Sequence, residues 1–355
     1  MLDNFSREPW DRGKPSCTSL PIEFFSNALQ YICNQAHNYD QLMNQPLVSI
    51  CIPAYKKPEY VVRCIESVLK QTYKQVEIVI SDDSPNQDIK LAIESYNSSI
   101  SIKYYHNSPA LKSPINWNNA LNKASGGFYM LMHQDDWFEA ENAIETYVQT
   151  FETNPQVDFV FCRNTAIQPD GQVLKLQAIP SLLMDMQKYP NHLVRANVIG
   201  PPSNTMLRSN VTVRYDEAYI WLVDVDYYVQ LLEAGHGYKY LDAHLVSIGL
   251  HEDQTTVFCR NNEDVIIKEN IWFATKIGNK AFKDILIYDY YWRLLRNYKI
   301  RSINDITITG VNQDTILPVI LHMLGLQKNI PLSILKKGVV SKTLMFFNYL
   351  FKPNH

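Results

Sequence analysis

The amino-acid sequence predicts an α/β fold in which a mostly parallel sheet is flanked by helices. Short apolar runs typical of buried strands alternate with segments whose apolar residues recur at helical spacing. Turn-forming residues, such as the Gly126-Gly127 pair, separate these elements. Alternating strands and helices are typical of βαβ units, which bind ligands beyond the carboxyl ends of their strands.

The individual elements follow in a regular order from Pro46. The predicted strands are 47–52, 76–80, 101–106, 128–132, 158–162 and 245–250. The predicted helices are 61–69, 89–96, 117–124, 140–151 and 226–234. Pro53 is expected to end the first strand, and 164–186 is less regular. We therefore predict an N-terminal extension at 1–45, an α/β domain at 46–256 and a mainly helical region at 257–355.

Composition and charge exclude several classes of protein. The 355 residues carry a formal net charge of −3, which argues against a nucleic-acid-binding protein. The six cysteines contain no CxxC spacing, which argues against a zinc site. Cys51 and Cys162 lie in predicted strands and are expected to be buried free thiols, which fits a reducing compartment. No apolar leader or run of roughly 20 apolar residues is visible, so we expect a cytoplasmic protein.

The C-terminal segment is both basic and apolar. Between Thr315 and His355 there are five lysines and no acidic residue. Apolar residues at 331–352 have helical spacing, so this segment either packs as a helical cap or makes a peripheral contact with the inner face of a membrane. Amphipathic helices more often face a core, which favours the helical cap.

Two pairs of adjacent aspartates follow predicted strands. Asp82-Asp83 follows the second strand and Asp135-Asp136 the fourth, so both pairs are expected at one edge of the sheet. Alone, each pair is typical of a turn or a helix cap. Together they would repel a phosphorylated ligand, which implies either a bound divalent cation or recognition of a sugar and base. Mg²⁺ typically takes one or two protein carboxylates and completes its shell with phosphate and water.

These motifs carry a resemblance. In order and spacing, five segments resemble family 2 glycosyltransferases of the Rossmann-like GT-A fold: 48–55, 67–72, 76–84, 118–129 and 133–137. The resemblance extends over about 46–256. It implies transfer of a sugar from a UDP-, dTDP- or GDP-sugar to a glycan or lipid-linked acceptor, in surface polysaccharide synthesis. It also implies a divalent metal, Mn or Mg, and inversion at the anomeric carbon.

The resemblance assigns roles in donor binding. Pro53, Ala54 and Tyr55 would border the nucleotide base, and Asp83 or its neighbour Asp82 would bind the base or ribose.

It also assigns roles around the diphosphate. Asp135 would lie near the ribose and diphosphate, and Asp136 would coordinate the metal. His133 stands where many family members carry a further aspartate. It would bind the ligand or pack beside the site, and we prefer packing or support of the metal-binding residues. His251 resembles a histidine that approaches the metal or diphosphate.

The general base is expected just before a helix at 227–234. Asp224 matches the acidic residue that acts as base in the family, and Asp226 is expected to cap the helix. The segment 200–205 resembles the loop that faces the acceptor.

Other classes of function remain open. A non-catalytic protein that binds nucleotide-sugars or glycans would keep the same fold and bind nucleotide without turnover. A nucleotidyltransferase would need a Gly-rich, basic phosphate loop after the first strand, and 54–58 contains no glycine. A nicotinamide dehydrogenase is also disfavoured, because no GxGxxG motif follows a predicted strand.

Overall fold

The computed structural model describes residues 45–94, 96, 100–175 and 180–352. Apart from Gln45, the predicted N-terminal extension lies outside the described residues.

In the part of the chain that the structure describes, nine strands form one mixed sheet. They are β1 (Val48–Ala54), β2 (Val76–Asp82), β3 (Ser101–His106), β4 (Phe128–Leu131), β5 (Trp137–Phe138), β6 (Phe159–Ile167), β7 (Val173–Lys175), β8 (Thr205–Arg208) and β9 (Tyr238–Gly249). Their order is β3-β2-β1-β4-β8-β6-β9-β5, and β7 pairs with β6.

The first four strands of this order are parallel. Val48 pairs with Val76 on one side and with Phe128 on the other, so the three strands start together, and β1 and β2 also end together at Ala54 and Asp82. β8 then enters antiparallel between β4 and β6, whereas β6 and β9 are parallel. The predicted α/β sheet is confirmed. β1 extends through Pro53 to Ala54, whose carbonyl accepts the amide of Asp83, so Pro53 does not end the strand as expected.

Helices α1–α6 lie between or beside these strands. Their bounds are Pro58–Leu69 (α1), Asp88–Ile93 (α2), Ile115–Asn122 (α3), Ala143–Thr153 (α4), Pro180–Lys188 (α5) and Val223–Glu233 (α6). Because side chains of a strand alternate between faces, β1 contributes to two separate cores. Ile50 and Ile52 pack in one hydrophobic cluster and Cys51 packs in the other. Every residue of β1 and β2 is buried, as expected for parallel strands covered on both faces.

The C-terminal region is helical, as predicted. It contains α7 (Thr255–Arg260), α8 (Glu263–Ala281), α9 (Ile285–Asn297), α10 (Ile303–Thr307), α11 (Pro318–Gln327), α12 (Leu332–Leu335) and α13 (Gly338–Leu350). Its buried residues, such as Trp292 and Tyr291, share one hydrophobic cluster with Cys51 and Tyr227 of the α/β part. The two regions therefore share a hydrophobic core.

The cysteines and the helices of the described residues bear on two further expectations. Cys51 and Cys162 are buried free thiols, as predicted, and burial raises the pKa of both. In this part of the chain, no helix has the length and apolar character needed to cross a bilayer.

Candidate active site

The carboxyl ends of β1, β2 and β4 bring the predicted donor-binding residues together. Pro53 and Ala54 pair with Ser81 and Asp82 at the end of the ladder. Tyr55 follows and is 52% exposed. The side chain of Gln134 accepts the amide of Tyr55 at 2.9 Å and donates to its carbonyl at 3.0 Å. The loop after β1 is therefore fastened to the loop that carries Asp135 and Asp136.

Asp82 stabilises the turn after β2. Its side chain is fully buried and accepts the amide of Ser84 at 2.8 Å and the hydroxyl of Tyr104 at 2.7 Å. Asp82 is thus enclosed by the protein.

Asp83 holds a different loop. Its carboxylate accepts the amides of Leu111 and Lys112 at 3.0 and 2.7 Å and the side-chain amide of Asn107 at 2.8 Å. A carboxylate has about four lone-pair sites, so one remains for a ligand. Asp83 is therefore the better placed of the two aspartates for a donor contact, and its role stays a prediction.

One group of ligating side chains in the described residues is close enough to share an ion. It consists of His133, Asp135 and Asp136, whose ligand atoms all lie within 4.8 Å of one another. One buried atom of this group, Nε2 of His133, has no hydrogen-bond partner. A nitrogen ligand beside carboxylate oxygens suits Mn²⁺, and carboxylates also suit Mg²⁺. The residues present therefore fit the predicted metal.

Asp136 is the buried member of this group. Its Oδ2 accepts the hydroxyl of Ser203 at 2.5 Å, and its Oδ1 accepts the amide of Gly249 at 3.3 Å. Burial, with the charge of Asp135 as second cause, raises the pKa of Asp136 well above its usual range. Each oxygen keeps a free lone pair, and a cation at this position would favour the ionised form.

Asp135 is supported by several neighbours. His251 donates from Nε2 to Oδ2 of Asp135 at 2.8 Å, and Arg63 donates to its carbonyl oxygen at 2.7 Å. Burial opposes ionisation, but the hydrogen bond from His251 lowers the pKa of Asp135 overall. The two adjacent aspartates therefore have opposite pKa shifts.

The two histidines occupy different positions. His133 packs against Trp117 with ring centroids 4.8 Å apart, and burial lowers its pKa, which favours the neutral imidazole that binds metals. His251 packs against Tyr60 and contacts Asp135, and its Nδ1 is buried without a partner. The predicted metal roles of Asp136 and His251 stay predictions, with His251 placed to orient Asp135.

The loop 197–204 joins two predicted functional residues. At one end, Ser203 donates to Asp136 and accepts the amide of His133. At the other end, the side chain of Asn197 donates to Oδ2 of Asp224 at 2.8 Å. The same loop therefore supports both the predicted metal ligand and the predicted base.

Asp224 and Asp226 lie in the first turn of α6. Leu222, and not Asp226, is the N-cap residue, so the capping prediction was wrong. Asp226 is fully buried and paired with Lys276 at 2.7 Å, because a buried carboxylate needs a compensating charge. Asp224 is partly exposed, and desolvation raises its pKa to about 6.

Sequence comparison identifies the family. Residues 49–215 match the profile of Glycosyl transferase family 2, and this segment contains both aspartate pairs and Ser203. The segment 49–215, just under half of the chain, belongs to this family.

Two curated relatives have names that describe polysaccharide synthesis or sugar transfer. The chain is 25% identical over 278 residues to chondroitin synthase of Escherichia coli. That alignment covers 75% of this chain and 38% of the synthase. It is 25% identical over 271 residues to the Campylobacter jejuni enzyme named GalNAc(5)-diNAcBac-PP-undecaprenol beta-1,3-glucosyltransferase. That alignment covers 72% of this chain and 85% of the Campylobacter enzyme. The chain spans less than two thirds of the length of the first relatives it matches.

Solved structures agree on the fold. A mannosyltransferase from Pyrobaculum calidifontis, solved in complex with GDP-Man and Mn²⁺, superposes with a TM-score of 0.51 at 12% identity. The match covers 87% of this chain and 86% of that one. This likeness supports the predicted GT-A fold of the family 2 domain.

A buried glutamate of the glycosyltransferase was missed in the sequence. Glu269, on α8, accepts the backbone amides of Ile220, Trp221 and Leu222 at 2.8, 2.7 and 2.9 Å. These three amides lead directly into the helix that carries Asp224. The sequence signal for Glu269 was a glutamate at a helical position that is expected to be buried. Glutamates are almost never fully buried without partners, so such a position indicates a hydrogen-bonding role.

Arg63 was also missed. Besides its bond to Asp135, its guanidinium lies 3.9 Å from the ring centroid of Trp137. It lies in a predicted helix, where a single arginine carries no sequence signal of its partner.

Proposed function

We propose that this chain transfers a sugar from a nucleotide-sugar to a hydroxyl of a glycan or lipid-linked acceptor in surface polysaccharide synthesis. The reaction is a metal-dependent single displacement that inverts the anomeric carbon. One observation carries the proposal: the loop 197–204 bonds to Asp136 through Ser203 and to Asp224 through Asn197. A metal ligand and a base that are hydrogen-bonded to the same loop suit a reaction in which both act on one bond.

The group of His133, Asp135 and Asp136 would hold Mn or Mg, with His251 orienting Asp135. When bound, the ion would neutralise negative charge on the leaving nucleoside diphosphate. Ser203 and Gly249 would fix the carboxylate of Asp136, since groups that bond to metal ligands hold their geometry.

Asp224 would act as the general base. It would take the proton of the acceptor hydroxyl while the hydroxyl oxygen attacks the anomeric carbon and the diphosphate leaves. A pKa raised to about 6 suits a base that works near neutral pH. Asp226 is the weaker candidate, because it is fully buried and paired with Lys276.

The donor would be a UDP-, dTDP- or GDP-sugar. Pro53, Ala54 and Tyr55 would border its base, Asp83 would contact the base or ribose, and Asp135 would lie near the diphosphate. The GDP-Man complex of the structural neighbour supports a nucleotide-sugar. The Campylobacter relative, named for an undecaprenol-linked substrate, supports a lipid-linked acceptor. The four described cysteines are free, which is consistent with action in the cytoplasm.

The decisive experiment supplies the purified chain with a panel of nucleotide-sugars and Mn²⁺ or Mg²⁺. We expect one donor to release nucleoside diphosphate, and release to increase when the matching acceptor is present. The anomeric configuration of the product, read by NMR, should be opposite to that of the donor.

Two variants test the assigned roles. Asp136→Ala should abolish metal-dependent transfer, and full activity would contradict the metal assignment. Asp224→Asn should bind donor normally and lose turnover, whereas a normal rate would place the base elsewhere. Nucleotide affinity with no transfer or donor hydrolysis across the panel would instead indicate a binding protein.

A further inference from the structure

The last helix, α13, buries polar side chains. Ser341 is 1% exposed, and its hydroxyl accepts from Nε1 of Trp292 and from the guanidinium of Arg296 at 3.1 and 3.0 Å. Asn348 is also buried and accepts the hydroxyl of Tyr288 at 2.6 Å. The inward polar side chains are therefore satisfied by the protein, and α13 is packed, as the helical-cap interpretation expected.

The outward side of α13 is mainly apolar, although Lys342 and Thr343 are also exposed and Met345 is buried against the core. Val339 is 83% exposed and Phe351, directly after the helix, is 77% exposed. Phe346, Phe347 and Leu350 are also exposed. Positions 339, 346 and 350 recur at helical spacing and so lie along one stripe. We call these five residues the apolar stripe. Several large apolar side chains exposed on one helix are typical of an interaction site.

The charged residues of the segment that carries the apolar stripe have one sign. Lys336, Lys337 and Lys342 are exposed, and Lys352 follows the helix. No acidic residue occurs between Thr315 and His355. The surface therefore combines apolar side chains with positive charge. A binding partner that complements it would combine apolar groups with negative charge.

We propose that the apolar stripe inserts into the headgroup region of an anionic lipid bilayer while the flanking lysines contact lipid phosphates. α13 is 13 residues long, much shorter than the roughly 20 residues that span a bilayer, so it would lie along the surface. A symmetric pair of chains is the less suitable occupant, because it would bring the same lysines of two copies together. This inference is independent of the proposed transfer reaction, since lipid binding needs neither donor nor metal.

The test is sedimentation of the full chain with vesicles of two compositions. One is phosphatidylcholine alone, and the other is an equal mixture of phosphatidylcholine and phosphatidylglycerol. We expect strong binding to the mixed vesicles that weakens with salt, and little binding to phosphatidylcholine. Equal binding to both, or no binding to the mixed vesicles, would overturn the proposal.

Two sets of variants separate the apolar and charged contributions. Replacing Phe346 and Phe347 by Ser should abolish vesicle binding, whereas Ile308→Ser, at an exposed site on another element, should leave it unchanged. Changing Lys336, Lys337 and Lys342 to Gln should weaken binding by about fivefold per lysine.

The matched control for charge changes three exposed lysines elsewhere to Gln: Lys90, Lys123 and Lys239. Circular dichroism establishes that each variant is folded. If this control loses as much vesicle binding as the variant of Lys336, Lys337 and Lys342, the attraction is a general effect of charge. That result would overturn a specific lipid-binding face. Light scattering gives the mass of the chain without lipid. A dimer that the Phe346→Ser/Phe347→Ser variant converts to monomer would assign the stripe to a second copy.

Discussion

Glu269 accepts the backbone amide of Leu222 at 2.9 Å, and Leu222 is the residue from which helix α6 begins. The donors at a helix start are usually satisfied by a nearby side chain of the same segment. Here the carboxylate comes from α8, 47 positions further along the chain. The C-terminal helical region therefore fixes the start of the helix that carries the proposed base, Asp224.

We expect Glu269→Gln to lower kcat about tenfold while KM for the donor changes little. The Gln side chain would turn an N–H donor toward backbone N–H donors, so the start of α6 and Asp224 would move. The free energy of unfolding should fall by about 1–3 kcal/mol, the usual cost of a lost buried hydrogen bond. Steady-state kinetics and urea unfolding measure both effects.

Two further variants make the Glu269 prediction specific. Glu269→Asp keeps the carboxylate and should recover part of kcat. Glu263→Gln, at an exposed position of the same helix, should change neither quantity. A loss of stability in Glu269→Gln with kcat unchanged would limit Glu269 to a structural role.

We predict that Asn197→Ala moves the acidic limb of the pH–rate profile to higher pH. Asn197 donates to Asp224 and favours its ionised form, so removing this bond should raise the pKa of Asp224 further above about 6. A base acts only when it is ionised. As the pH is lowered, kcat/KM of the variant should therefore begin to fall at a higher pH than that of the wild type, and at pH values above this acidic limb the two should be similar. Profiles of kcat/KM against pH measure the midpoint. Asn210→Ala, at an exposed site, should keep the wild-type midpoint; an unshifted midpoint in Asn197→Ala would remove Asp224 from the base role.

We expect Ser203→Ala to weaken Mn²⁺ binding by about 10- to 100-fold, the usual cost of losing a partner of a metal ligand. The substitution removes the donor to Asp136 and the acceptor for the amide of His133. Isothermal titration of the chain with Mn²⁺ measures the affinity without any assay of turnover. Ser209→Ala, an exposed serine nearby in sequence, is the matched control. Unchanged affinity in Ser203→Ala would contradict a metal site built on Asp136.

Gly200→Ala should destabilise the protein more than Gly171→Ala. Both glycines have positive φ, 87° and 82°, so alanine costs about 1–2 kcal/mol at either site. At Gly200 the new Cβ would also lie 2.5 Å from Nδ2 of the buried Asn204, whereas nothing lies within 4 Å at Gly171. Urea unfolding of both variants measures the difference, and equal losses would show that the 197–204 loop tolerates the extra carbon.

Much of the α/β architecture was determined by local sequence. Apolar runs predicted β1 and β2 to within two residues of their bounds, because strands buried on both faces need nearly continuous apolar residues. The same order of elements predicted that Asp83 and Asp136 would meet at one edge, since parallel strands end together. The resemblance in these motifs, over about 46–256, indicated the same family whose profile matches 49–215.

Tertiary structure decided what no local pattern specifies. The partners of Asp136, Asp224 and Asp226 are Ser203, Asn197 and Lys276, which lie 27 to 67 positions away in the chain. Hydropathy at helical spacing also predicted that the apolar residues of α13 would face a core. Met345 does face it, but Ser341 and Asn348 also lie inward, where they bond to Trp292 and Tyr288, and Phe346 and Phe347 are exposed. Periodicity tells which residues share a face, but the direction of that face depends on donors and acceptors elsewhere in the fold.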